Sequence, residues 1–183
     1  MLKIVTAPDP VLSAIAKPVG KIDTSIKKLL SGMEETLDTA KDPEGVGLAA
    51  PQVGKSLQIF IVREDKDEPL LTFINPEIQQ LDAPPKETKK KKSKKSVKLE
   101  GCLSLQDIWG TVKRSPTVTL SYMDEKGKKH EKKFSGFLAT IIQHEVDHLQ
   151  GILFPKHVIQ QKGQLYKSSK NEKGETVFEE ITI

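Results

Sequence analysis

The segment His144-Glu145-Val146-Asp147-His148 constrains this chain more than any other stretch. Residues four apart on an α-helix lie one turn apart on the same face. Two imidazoles at that spacing can reach a single metal ion, with the Glu145 carboxylate close to the water such an ion carries. The flanking pattern predicts the helix itself. Phe137, Leu138, Ile141, Ile142, Glu145 and Leu149 recur at steps of three and four, Ser135 can cap the start, and Gly151 stands where a stop belongs. Phe137 and Ile141 continue the stripe of His144 and His148, so the two histidines are expected to face inward. The plainer alternative is a pair of core or surface histidines on an ordinary helix. The capping pattern and the apolar face weigh against it.

A hydrolytic metal needs a third protein ligand and an open position for water. One group of HExxH proteases extends the motif to HExxHxxGxxH. Gly151 fits that pattern, but Phe154 stands where the third histidine belongs. Another group draws a glutamate from a downstream helix. Glu172 and Glu175 are available, but the segment Asn171-Glu172-Lys173-Gly174-Glu175 reads as a turn. Cys102 is the better candidate, because a thiolate on a divalent metal is a sound ligand for a hydrolytic site. Its position far upstream leaves open whether it is a ligand, a reactive thiol or a buried apolar residue. It is the sole cysteine, so no intrachain disulfide can form.

The rest of the chain reads as one α+β domain spanning 1–183. Asp23-Thr24 offers a helix cap, and Ile26, Leu29, Leu30, Met33 and Leu37 follow at helical spacing, so a helix is expected over 24–40. A glycine-rich segment, Gly45-Val46-Gly47-Leu48-Ala49-Ala50-Pro51-Gln52, comes next; on its own it could be a simple turn between helix and strand. Residues 57–63 and 70–75 are strand-like. Residues 117–122 and 128–134 form an expected hairpin around Glu125-Lys126-Gly127. Residues 99–105 make a short, partly apolar run around the cysteine. The tail, 158–183, reads as polar, with one late strand-like run at Thr176-Val177-Phe178. The expected architecture is therefore α+β, with mixed or antiparallel sheets packed around a central helix that carries HExxH.

Charge is the one feature that invites a different function. The formal net charge is +4. Eight lysines (Lys86, Lys89, Lys90, Lys91, Lys92, Lys94, Lys95 and Lys98) account for it, and without them the chain would be slightly acidic. Residues 83–98, rich in Pro, Lys and Ser, read as a flexible loop inside the domain. No aromatic residues interleave the lysines, so a base-stacking platform is absent. A solvated loop is the favoured reading, with a salt-dependent contact to ribosomal RNA as the alternative. No segment approaches the roughly 20 apolar residues of a spanning helix. The N-terminus does not read as a signal or transit peptide, so a cytoplasmic location is expected, with neither membrane nor DNA as partner.

Three segments, in order, resemble the peptide deformylase family. Gly45 to Gln52 is similar to its GxGLAAxQ motif, Glu100-Gly101-Cys102-Leu103-Ser104 to EGCLS, and Gln143-His144-Glu145-Val146-Asp147-His148 to QHExDH. Pro8-Asp9-Pro10-Val11-Leu12 and Phe73-Ile74-Asn75-Pro76 resemble the family too, and the likeness covers about residues 2–157. The resemblance implies a hydrolase that removes formate from the N-terminal formylmethionine of nascent polypeptides. It implies one divalent metal on Cys102, His144 and His148: Fe²⁺ in the cell, often replaced by Zn²⁺ or Ni²⁺. It makes Glu145 the general base and gives Gln52 and the backbone N–H of Leu103 to the formyl oxygen. It also gives the peptide backbone to Val46, Gly47 and Gly101. Phe137 and Ile141 would line the methionine pocket.

The chain departs from the family at Gln106, usually proline, and at Trp109, an arginine in well-known members. Arg114 is kept, and the long terminal helix of the best-known forms is absent. Two other readings compete: an HExxH peptidase acting on internal bonds, and a ribosome-associated binding protein with a structural metal. A structural zinc site is usually closed by four protein ligands, and only three candidates are present.

Overall fold

In a computed structural model, residues 1–40, 44–83 and 99–182 are described. The lysine run falls within 84–98, outside the described residues.

Asp23 caps the first helix as its side chain predicts. Its carboxylate accepts from the backbone N–H groups of Ser25 (2.9 Å) and Ile26 (3.1 Å) at the start of α1 (Thr24–Thr39). The glycine-rich segment is not a simple turn. It forms a three-residue strand, β1 (Gly47–Ala49), and then a 3-10 turn over Ala50–Val53. β1 is the edge of a five-stranded antiparallel sheet with β2 (Ile59–Val62), β3 (Leu71–Leu81), β6 (Thr117–Met123) and β7 (Lys129–Ser135), in that spatial order. A second, four-stranded antiparallel sheet holds β4 (Glu100–Cys102), β5 (Leu105–Gly110), β8 (Leu165–Lys170) and β9 (Thr176–Ile181). A 3-10 turn at Pro10–Ser13 and two further helices, α2 (Gly136–Leu149) and α3 (Phe154–Gln160), complete the described elements. All strand pairs within the two sheets are antiparallel.

β2 explains how the first sheet is held. All four of its residues are fully buried, because it is covered on both faces. Ile59 and Ile61 pack with Ile26, Leu30, Met33 and Leu37 of α1. Phe60 and Val62 pack on the other side with Ile141, Ile142, Val146 and Leu149 of α2. This is the period of two expected of a strand, hidden in sequence because both faces are apolar. Phe60 stacks on Phe73 with ring centroids 4.5 Å apart, and Tyr122 lies 4.6 Å from Phe73. Burying each such side chain is worth about 1.5–3 kcal/mol.

The second sheet rests on α3. Phe154, Val158 and Leu165 form a small cluster with Cys102, joined by Ile108 and Ile181. The tail is therefore more ordered than its polar composition suggests, since β8 and β9 form a hairpin closed at Gly174 (φ 76°). Two helix-end details differ in kind. Gly151 (φ 68°) does end α2, its N–H bonding His148 O and that of Ile152 bonding Asp147 O. Ser135 occupies the cap position, but its side chain makes no capping hydrogen bond. Among the described residues no helix is long and apolar enough to cross a membrane.

Candidate metal centre

β4 and α2 carry the site. On a strand, residues two apart share a face, so Glu100 and Cys102 both meet α2 while Gly101 turns the other way. Cys102 Sγ lies 3.3 Å from His148 Nε2, and His148 Nε2 lies 3.2 Å from His144 Nε2. The ligand atoms of Cys102, His144 and His148 are within 4.8 Å of one another, and all three residues are buried. Two ligands about 2.0–2.3 Å from one ion, as for zinc, come to roughly these separations in a tetrahedral arrangement. No fourth protein ligand joins the group among the described residues. Glu172 and Glu175 flank the exposed turn between β8 and β9, and Phe154 is buried beside His144, with ring centroids 6.2 Å apart.

The neighbours prepare each ligand. His144 donates Nδ1–H to Glu100 Oε1 at 2.6 Å and turns Nε2 toward His148; burial opposes its charge, but the bonds to Cys102 and Glu100 hold the ring well above its usual range, so a bound ion would replace the proton on Nε2. Arg114 grips the same carboxylate with Nε (3.1 Å) and a terminal nitrogen (2.6 Å), and reaches Asp147 with the other (2.5 Å). His157 closes the chain of bonds on Asp147 Oδ2 at 2.9 Å. Burial opposes the Glu100 charge, but the bonds from His144 and Arg114 outweigh it and hold the carboxyl at about 2. Burial, then the neighbouring His144 charge, pushes His148 well below its usual range, the neutral form a ligand needs. His148 Nδ1 and Glu145 Oε2 are buried without a hydrogen-bond partner. A buried thiol, two converging imidazole nitrogens and an unpartnered carboxylate oxygen suit a divalent cation with water beside it.

Glu145 is three per cent exposed, and burial raises its carboxyl to about 7, partly offset by His144. Gly47 lies against it. A Cβ there would collide with Glu145 Oε1 and come within 2.9 Å of Ile141 Cγ2. The glycine is thus required by the carboxylate, a reason that lies beyond its own strand.

Gln52 is buried, with Oε1 accepting the Ala49 N–H at 2.8 Å. That bond fixes the amide, and Nε2 points toward Cys102 Sγ (3.5 Å) and Ser104 Oγ (3.4 Å). A cavity of about 620 Å³ opens over these groups, with Glu145, His144 and Cys102 in its lining. Val46, Gly47, Gly101, Leu103, Phe137 and Ile141 also line it. His148 is the one candidate that lies behind the wall. Phe137 is 42% exposed, so it sits at the mouth and not in the apolar core that its helical stripe implies.

Sequence reasoning missed two supports. In the sequence Glu100 and Gln143 stand out only as letters of their motifs, although Gln143 clamps Ser115 by both N–H and C=O (3.0 and 2.9 Å) beneath the cavity. The i, i+2 relation of Glu100 to Cys102 was the available signal.

A buried thiol and two histidines one turn apart, beside a carboxylate and under a cavity, make a chain that can bind a metal and activate water. The chain belongs to the polypeptide deformylase family, whose model matches residues 1–164. It is 37% identical to the peptide deformylase of Mesorhizobium japonicum, covering 85% of this chain and 82% of that one. It is 39% identical to the peptide deformylase of Cellvibrio japonicus, with 94% and 95% covered. The crystal structure of a peptide deformylase from Legionella pneumophila matches with a TM-score of 0.72 and 38% identity over 86% of this chain and 85% of that one. That from Thermotoga maritima gives 0.71 and 38%, with 86% and 97% covered.

Proposed function

We propose that residues 1–183 act as one catalytic domain, with α2 as its central helix, that hydrolyses the formyl amide of N-formylmethionyl nascent peptides and releases formate. The observation that carries this reading is the convergence of Cys102, His144 and His148 beside the buried Glu145 under one cavity. A divalent metal on these three ligands, Fe²⁺ in our reading with Zn²⁺ or Ni²⁺ able to replace it, supplies a Lewis acid that draws the pKa of water toward neutrality.

The chain's own residues do the rest. Glu145 takes the proton of the attacking water and later passes it to the leaving amine. A carboxyl raised toward neutrality suits both transfers. As the carbonyl carbon becomes tetrahedral, charge grows on the formyl oxygen. The Gln52 amide, oriented by Ala49, and the Leu103 N–H receive it. Val46, Gly47 and Gly101 pair with the peptide backbone in the manner of an added strand. Phe137 and Ile141 hold the methionine side chain. We place the enzyme in the cytoplasm, where such peptides are made.

The decisive test uses anaerobically purified, Fe²⁺-loaded protein with formyl-Met-Ala-Ser, measuring formate and bound metal together. Glu145→Gln is expected to keep the metal and lose the rate by at least ~10²-fold. Cys102→Ala is expected to lose the metal. A fully active Cys102→Ala enzyme would refute the ligand set. A ribosome contact through the lysine run is tested by deleting residues 86–96: loss of ribosome co-sedimentation would establish it, and equal binding would sink it.

A further inference from the structure

α3 approaches the metal centre from outside the cavity. Phe154 and Val158, one turn apart, seat it in the small cluster that also holds Cys102. His157 stands three residues after Phe154, on the same side of the helix, and turns toward α2. There its Nε2 meets Asp147 Oδ2 at 2.9 Å. A carboxylate can only accept, so the ring donates N–H. The same oxygen receives an Arg114 terminal nitrogen at 2.5 Å. Gln161, just past the end of α3, fastens the segment that carries Arg114. Its Oε1 accepts the Lys113 N–H at 2.7 Å, and its Nε2 donates to the Lys113 C=O at 3.2 Å.

One line of hydrogen bonds thus runs from His157 through Asp147, Arg114 and Glu100 to His144, a candidate ligand. Arg114 lies between two carboxylates that compete for it. The Arg114 and Glu100 side chains are 8% and 11% exposed, so solvent ions do little to screen them. Whatever Asp147 draws from the guanidinium is lost to Glu100. His157 meets part of that demand from the far side of Asp147. The hydrolytic chemistry gives His157 no other task, since it does not line the cavity.

We propose that His157 is a positioning residue of the metal centre: by holding Asp147 it leaves Arg114 to Glu100, and so sets how hard Glu100 pulls on the Nδ1–H of His144. This rests on the reading of His144 as a ligand in a deformylase site. Without the His157 donor, Arg114 is drawn toward Asp147 and the Glu100 charge is less well neutralised. The His144 imidazole then becomes a more basic ligand. A bound ion is held more tightly and polarises water less. Direct partners of a ligand change affinity about 10–100-fold, and His157 acts three bonds further out, so its effect is roughly two- to ten-fold.

The test uses Co²⁺-loaded protein. The Co²⁺ Kd is measured by chelator competition, and kcat and KM are measured on formyl-Met-Ala-Ser with Co²⁺ in excess. His157→Leu is expected to lower the Kd about three-fold and kcat about three-fold, with KM unchanged. His157→Gln, which keeps an N–H for Asp147, should return both toward wild type. A residue that merely props α3 would do the reverse, because a loosened site binds metal more weakly. An unchanged or raised Kd in His157→Leu, or Gln and Leu variants that behave alike, overturns the proposal. If His157→Leu does not fold, His157→Asn, whose amide is too short to reach Asp147, takes its place with the same expected values. Absence of formate release by the wild type overturns the deformylase reading, while the Kd comparison still decides the role of His157.

Discussion

Burial holds the Glu145 carboxyl near pH 7 while its unfolded value is 4.5, and this has a cost that can be measured on the metal-free chain. Below pH 4.5 the group is neutral in both states and costs nothing. As pH rises, the unfolded chain ionises first and draws the equilibrium toward itself until the folded group also ionises near 7. The loss is as much as ~3 kcal/mol. Metal-free Glu145→Gln is therefore expected to be more stable than wild type at pH 8, with the gap closing below about pH 4.5. Denaturant titration at both pH values checks this, and equal stabilities at pH 8 would refute it. Glu100 works through His144. Replacing it by Gln removes the charge that receives Nδ1–H and leaves Arg114 with Asp147 as its remaining carboxylate partner. Metal affinity should fall about 10–100-fold in chelator competition. Unchanged affinity would make the Glu100–Arg114 pair purely structural.

At the scale of elements, β2 and the start of α1 illustrate large and small contributions. Phe60→Ala removes a fully buried ring between the sheet and α2 and is expected to cost about 3–5 kcal/mol. Asp23→Ala removes a cap at an exposed helix start and should cost about 1 kcal/mol. Equilibrium unfolding measures both. These are also elements that sequence reads well. α1 and α2 announce themselves by their periodicity, and the Thr117–Ser135 hairpin by alternation around a Gly turn. β1, β4, β5 and β8 do not. β1 and β4 are three residues long and contain glycine, and β5 and β8 mix polar residues on an open face. Their strand character comes from partners distant in sequence, and no local pattern encodes it. The same limit applies to the site. His144, Glu145 and His148 are visible as a helical motif, whereas the chemistry of Cys102 makes it only a candidate and the resemblance alone singles it out, because its proximity is created by strand pairing and not by local spacing.

For the molecule as a whole, the candidate ligands come from separate layers. Cys102 belongs to the four-stranded sheet, and the two histidines belong to the helix packed on the five-stranded one. Cys102 and His148 are 46 residues apart in the chain. Contacts of such separation form late, since loop-closure entropy must be met before they contribute. Helix formation on refolding should thus run ahead of the site. A stopped-flow experiment following far-UV ellipticity and metal uptake together is expected to show uptake lagging behind ellipticity, while simultaneous phases would count against it. A chain still lacking its last third, in this light, already carries Cys102 but neither histidine, and so has nothing to hold an ion. Catalytic competence is a clock that starts only when the two sheets have met.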